Sequence, residues 1–169
     1  MNIDLRDFEE FPASVAVDFE ADSADFGIEG VSFRDLMSLR LTIQKVRDEY
    51  YCQGQVMIPV EQECSRCLAL FDTDLTGELV FIIKTSLGES VLSKDQGADI
   101  IHVEAGRPVV ELTEVIRQAL ILAVPLKPLC DPECKGLCPG CGANLNEETC
   151  DCKIEEIDER WEGLKDLLE

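Results

Sequence analysis

Lysine and arginine are scarce in this chain: 15 stand against 35 aspartates and glutamates among 169 residues, a formal net charge of −20. So acidic a balance argues against a surface that is wholly a basic nucleic-acid platform. Histidine occurs once, as His102, which leaves little for a catalytic zinc site of the kind that uses histidine ligands. No apolar run approaches the ~18 residues of a membrane span. The opening MNIDLRDFEE is acidic and has no apolar stretch, so it reads as no secretory signal. No phosphate-binding loop, nucleophile elbow, paired-carboxylate motif or internal repeat is visible.

What is present fits one domain, or one domain with a small appendage. Apolar residues make up 46%, and a chain of this length buries roughly 70% of its unfolded surface on folding. The charge is concentrated at the ends. Residues 1–30 carry nine acidic and one basic side chain, and residues 147–169 carry ten and three. Such ends favour solubility and a basic partner.

Nine cysteines are the second conspicuous feature. The odd number, with no export signal, weakens a disulfide scaffold. The spacing points to metal. Cys64 and Cys67 form one C-x-x-C, and Cys130, Cys134, Cys138, Cys141, Cys150 and Cys152 crowd a short tail; Cys52 stands apart. A tight turn offers two thiolates to one face of a tetrahedral ion and a second pair completes the set. Cys138-Pro139-Gly140-Cys141-Gly142 has the form of such a knuckle, with Gly142 free to take the positive φ the turn requires and backbone N–H groups able to face the sulfurs. Cys138, Cys141, Cys150 and Cys152 make one set. Cys64, Cys67, Cys130 and Cys134 make a second, which would pin the tail to the body of the fold. One zinc shared differently among the tail cysteines is the alternative, so one or two zinc ions are expected.

Three enzymatic readings are weaker. Cys134-x₃-Cys138-x₂-Cys141 has radical-SAM spacing, but only 28 residues follow, too few for the barrel that chemistry needs. A redox C-x-x-C opens a helix in a βαβ unit, whereas Cys64 follows a strand. All-cysteine sets without an open position read as structural, not catalytic, zinc.

Periodicity supplies the scaffold. Met37, Leu39, Leu41 and Ile43 alternate with polar residues, as do Val56, Ile58 and Val60, and Leu75, Leu79, Phe81 and Ile83, with Gly77 in phase. Residues 14–21 are a further strand candidate. Reversals are expected at 47–50 and around 72–74, and the C-x-x-C is expected at one end of the sheet. Residues 86–98 read as a mobile loop, 99–104 as a strand with His102 at an ordinary position. Residues 111–124 have helical spacing through Leu112, Val115, Ile116, Ala119, Leu122 and Ala123, and Pro125 ends it. Beyond Cys152, Ile154, Ile157, Trp161, Leu164 and Leu168 mark a narrow amphipathic stripe. It either folds back on the body or anchors a partner through Trp161. The expected fold is α+β: a mainly antiparallel sheet packed on one buried helix (1–129, helix near 111–124), a zinc-binding cysteine segment (130–152) and a terminal amphipathic helix (153–169).

These motifs resemble a known family. Cys64-x-Arg66-Cys67-Leu68, the run Leu112 to Pro125, the stretch Leu129-Cys130-x₃-Cys134-Lys135-Gly136-Leu137-Cys138-Pro139-x-Cys141-Gly142-x-Asn144-Leu145-Asn146, and Ile157-Asp158-x-Arg160-Trp161-x-x-Leu164 are similar to the large ribosomal RNA subunit accumulation proteins, the YceD-like family. The resemblance is specific over about residues 60–168. It implies a cytoplasmic, non-enzymatic role in ribosome biogenesis, with a ribosomal protein or large-subunit rRNA as partner and no catalytic residues to carry over. An acidic adaptor acting through protein contacts is the leading reading. Direct RNA binding through Arg66, Lys127 and Lys135 is the alternative, though no aromatic residue between Cys130 and Cys152 offers a stacking platform.

Overall fold

The computed structural model describes residues 1–86 and 100–152. Strand β1 (Asn2–Asp4) is followed by β2 (Ala13–Phe19), the one-turn helix α1 (Ser23–Phe26), β3 (Ser32–Phe33), β4 (Met37–Val46), β5 (Glu49–Glu63), β6 (Leu70–Ser86), β7 (Ile100–Glu104), β8 (Val109–Glu111) and helix α2 (Thr113–Ala123). The main sheet runs β2-β4-β5-β6-β7, with β3 beside the far part of β5; β1 and β8 form a separate pair.

Alternation builds this sheet. Met37, Leu39, Leu41 and Ile43 of β4 are 0–3% exposed, while Arg40 and Thr42 between them and Gln44 after them lie in solvent. Register then stacks like on like. Leu39 faces Val56 and Val56 faces Gly77; Ile43 faces Cys52 and Cys52 faces Phe81. Burial of Leu39, Ile43, Val56 and Phe81 contributes about 1.5–3 kcal/mol for each side chain. α2 lies across this inner face through Ile116, Ala119 and Leu120. It approaches closely at one place. A Cβ on Gly77 would stand 2.8 Å from the backbone of Ala119, so the glycine is a notch that seats the helix.

The structure corrects one expectation. No reversal occurs around 72–74. Asp72 and Asp74 lie within β6, opposite Glu61 and Pro59. Their carboxylates are the solvent half of a period-two pattern, and the chain instead turns at the C-x-x-C. The sheet is mainly antiparallel as expected, with one parallel pair, β6 and β7, a connection that requires a dozen or so residues and here spans residues 87–99. The first reversal is tighter than expected. Val46 pairs with Glu49, and Arg47 takes φ 58°, as a two-residue hairpin demands. The loop expected at 86–98 falls, apart from Ser86, outside the described residues. So does the amphipathic segment 153–169 with Trp161.

Candidate metal centres

Two cysteine turns of the same construction carry the site. In the β5–β6 turn, Leu68 N–H donates to Cys64 O (2.9 Å) and Cys64 N–H donates to Ala69 O (2.9 Å). In the tail, Gly142 N–H donates to Cys138 O (2.8 Å) and Cys138 N–H to Ala143 O (2.8 Å). The residue after the second cysteine has positive φ in both, 59° at Leu68 and 78° at Gly142. The sequences Cys64-Ser-Arg-Cys-Leu-Ala69 and Cys138-Pro-Gly-Cys-Gly-Ala143 are thus one six-residue turn used twice. This small repeat is hard to see in the sequence because leucine and glycine share no chemistry; only their backbone conformation matches.

Each turn receives two more cysteines. α2 ends at Ala123, and Pro125 and Pro128 carry the chain back to the sheet end, where Ser65 N–H donates to Pro128 O at 2.8 Å. Cys130 and Cys134 follow. Cys64 and Cys134 sulfurs lie 3.8 Å apart, Cys67 and Cys130 sulfurs 3.6 Å. In the tail, the Cys150 sulfur lies 3.3 Å from those of both Cys138 and Cys141. Within each quartet (Cys64, Cys67, Cys130, Cys134; and Cys138, Cys141, Cys150, Cys152) all sulfurs fall within 4.8 Å of one another. None is in a disulfide. Each quartet could hold a metal ion.

The surroundings favour thiolate at some of these sulfurs and oppose it at others. Backbone N–H groups, first those of Cys130 and Cys67, bring Cys64 down to about 6. Those of Cys141 and Gly140 do the same for Cys138, to about 6. Cys130 is pushed up to about 12, first by the shared hydrogen bond with Cys67. For Cys150 the Cys152 N–H pulls downward, but the thiols of Cys152, Cys138 and Cys141 together raise it to about 12. Four thiolates in contact repel one another, so full ionisation requires a cation among them.

Two side chains hold the tail, one to the end of the sheet and one within the tail itself. The Arg66 guanidinium donates to Cys134 O at 2.8 Å, and Leu137 N–H donates to Arg66 O at 3.2 Å. Asn146, from the second quartet's loop, donates through Nδ2 to the Cys134 sulfur (3.3 Å) while its Oδ1 accepts from Lys135 N–H (2.8 Å). One asparagine therefore ties the two centres together. Sequence spacing carries no sign of this role, because the contact exists only once both turns are docked.

The remaining candidates are dispersed. Lys127 and Lys135 are exposed, and Lys127 lines a cleft beneath the end of α2. Cys52 is buried in the main core, which pushes its thiol up to about 12. His102 lies on β7 with Nε2 buried and unpartnered among the described residues, and it belongs to neither quartet. No described helix is long and apolar enough to cross a membrane.

No solved structure matches the chain. Uncharacterized proteins of Mycobacterium bovis and Mycobacterium tuberculosis are 33% identical over 138 residues, 79% of this chain and 62% of their own length. The chain thus spans about three fifths of these relatives. A chloroplastic large ribosomal RNA subunit accumulation protein YCED homolog 1 of Arabidopsis thaliana is 37% identical over 71 residues, 42% of this chain and 22% of that protein. Its Zea mays counterpart is 41% identical over 70 residues, 41% of this chain and 22% of that one. Residues 52–168, from β5 through both cysteine quartets, match the family of the large ribosomal RNA subunit accumulation protein YceD, and the chain belongs to that family.

Proposed function

We propose that this chain is a non-enzymatic, cytoplasmic ribosome-biogenesis factor required for accumulation of large-subunit ribosomal RNA. In this reading it is an acidic adaptor, held together by two zinc ions, that contacts a ribosomal protein or the rRNA. Family membership over residues 52–168, with plant relatives named for rRNA accumulation, is the observation that carries it.

The sulfur spacing supports zinc. Four thiolates about 2.3 Å from a tetrahedral zinc ion stand roughly 3.8 Å apart, and the contacts of 3.6 and 3.8 Å in the first quartet match this spacing. The 3.3 Å contacts of the second would open slightly around the ion. Bound zinc would supply charge neutralisation and a tetrahedral crosslink. Cys64, Cys67, Cys130 and Cys134 would hold one ion, Cys138, Cys141, Cys150 and Cys152 the other. Arg66 would hold the Cys134 loop in place, and Asn146 would hydrogen-bond the Cys134 thiolate. Four protein ligands leave no open position, which favours a structural role.

The charge of −20 supports a protein partner over RNA, since phosphate recognition needs clustered cations. Trp161 is the residue proposed for a protein contact and Arg66, Lys127 and Lys135 those for an RNA contact, Arg66 being the least available because its guanidinium already serves the Cys134 carbonyl. The test is capture of the tagged protein from its native cytoplasm, split into halves with and without ribonuclease, beside the rRNA profile of a depleted strain. Retention of basic ribosomal proteins after ribonuclease, with loss of large-subunit rRNA on depletion, is the expected result. An unchanged rRNA profile would overturn the proposal. Release of all ribosomal material by ribonuclease would move the contact to RNA.

A further inference from the structure

The pairing register determines where the backbone of β6 points. In an antiparallel pair, residues alternate between aiming N–H and C=O at the partner strand and aiming both away from it. Pro59 of β5 has no N–H, and its carbonyl accepts from Arg34 N–H at 2.9 Å, on the side of β5 remote from β6. Asp74 is its partner across the ladder. Asp74 therefore directs both backbone groups away from β5, and by alternation so do Leu70, Asp72, Thr76 and Glu78. Thr85, in the opposite phase, donates to Asp48 O on the β5 side, as this phase requires. β7 covers β6 only from Ile82 to Ser86. Among the described residues, the N–H and C=O groups of Leu70, Asp72, Asp74, Thr76 and Glu78 face no partner strand.

The two faces beside this open edge differ. On the outer face the same five side chains are all exposed. They include three carboxylates and no cation; Arg34, 3.7 Å from Asp72, also pairs with Glu61. On the inner face a cleft of about 490 Å³ opens between β6 and the segment after α2, lined by Phe71, Leu75, Ala123 and Leu129, with Lys127 among its walls. Gln62 also lines it. Gln62 is only 2% exposed.

We propose that this edge is a strand-addition site for an extended basic segment of another protein. The segment pairs through its backbone with Leu70–Glu78. Its lysines or arginines stand over Asp72, Asp74 and Glu78, and the alternate, uncharged side chains enter the cleft. Charge selects this occupant. The chain's own residues 153–169 carry seven acidic and three basic side chains, and a second copy brings the same excess of negative charge. RNA phosphates meet the same carboxylates. Charges on a strand edge deter pairing by like-charged strands, and that deterrent becomes an attraction for a basic one. The proposal deepens the adaptor reading and rests on it only for the ribosomal identity of the natural partner.

The test uses the full zinc-loaded chain and a fluorescein-labelled octapeptide of alternating lysine and valine, read by anisotropy. Saturable binding is expected, weakened at least about fivefold in the D72N/D74N double variant. Methylating alternate peptide nitrogens should weaken it as much or more, because the pairing N–H groups are lost. A glutamate–valine octapeptide should not bind. Amide exchange supplies the second readout: Asp72, Asp74 and Thr76 should exchange quickly in the free chain and slowly with peptide. Equal binding of the methylated peptide, amides already protected in the free chain, or displacement of the peptide by oligouridylate would each overturn the proposal. Any of these would leave the ribonuclease-split capture and rRNA profile unaffected, so the two readings fail separately.

Discussion

The two cysteine quartets share a turn and a ligand set, yet they occupy different physical settings. In the first, Cys64, Cys67 and Cys134 are buried in a small core of their own with Ala69, Phe71, Leu129 and Leu137. Its contact between Cys64 and Cys134 joins residues 70 apart. In the second, Cys141 and Cys152 are exposed, and the Cys138–Cys150 contact joins residues only 12 apart. Closing the longer loop removes about 1.5 kcal/mol more unfolded-chain entropy. The comparison teaches that one ligand chemistry can do two jobs: the first quartet fastens the tail to the sheet, the second orders the tail itself.

The largest expected effect comes from breaking the first centre. Cys134→Ser should cost one zinc per chain and lower global stability by at least about 3 kcal/mol, since metal binding here is folding energy. Denaturant unfolding with metal analysis checks it. Cys141→Ser should also cost one zinc, but the unfolding midpoint of the sheet should move by less than about 1 kcal/mol. Equal losses from the two substitutions would erase the distinction between the centres.

The shared turn sharpens the comparison from the backbone side. A non-glycine residue in the left-handed region costs about 1–2 kcal/mol. Gly142→Ala should therefore destabilise the second turn by roughly that amount, whereas Leu68→Gly should relieve the first. Leu68 is 56% exposed, so little packing is lost to offset the gain. Thermal unfolding and the rate of zinc release to a chelator report both.

Asn146→Ala is a smaller perturbation with an informative address. It sits in the loop of the second quartet but donates to a sulfur of the first. Removing a hydrogen bond to a charged acceptor costs about 1.5–3 kcal/mol at most, and the faster zinc release should appear at the first centre.

The smallest effect is one of pH in metal-stripped protein. Cys64 and Cys138 are lowered from the ordinary thiol value to about 6. A depressed folded-state pKa gives stability that is present above the unfolded value, near 9, and lost as pH falls through about 6. Turn order, followed by backbone chemical shifts, should fade over that window. Cys52 carries the opposite sign. Its thiol is raised to about 12 by burial, so its contribution holds below the unfolded value and is lost as pH rises towards 12.

Much of this was legible in the residues. Alternation along β4 and in β5 and β6 located the core face, because a strand half-buried in a sheet must repeat every two residues. The C-x-x-C at a sheet end and the tail knuckle were also readable, since thiolate pairs need tight turns. Asp72 and Asp74 misled, because carboxylates suit a turn and the solvent face of a strand equally well. The parallel placement of β7 was hidden because a strand's own pattern does not encode its neighbour's direction.

The sequence by itself determined the elements, the buried face, the acidity and the thiolate inventory, all of which depend on neighbours within a few residues. Only the tertiary structure decided that Cys64 and Cys67 meet Cys130 and Cys134, that Asn146 spans both centres, and that β6 leaves an edge open beside three carboxylates. Those are relations between segments far apart in the chain. They follow from strand register and from the seat of α2 on Gly77, which no local pattern specifies.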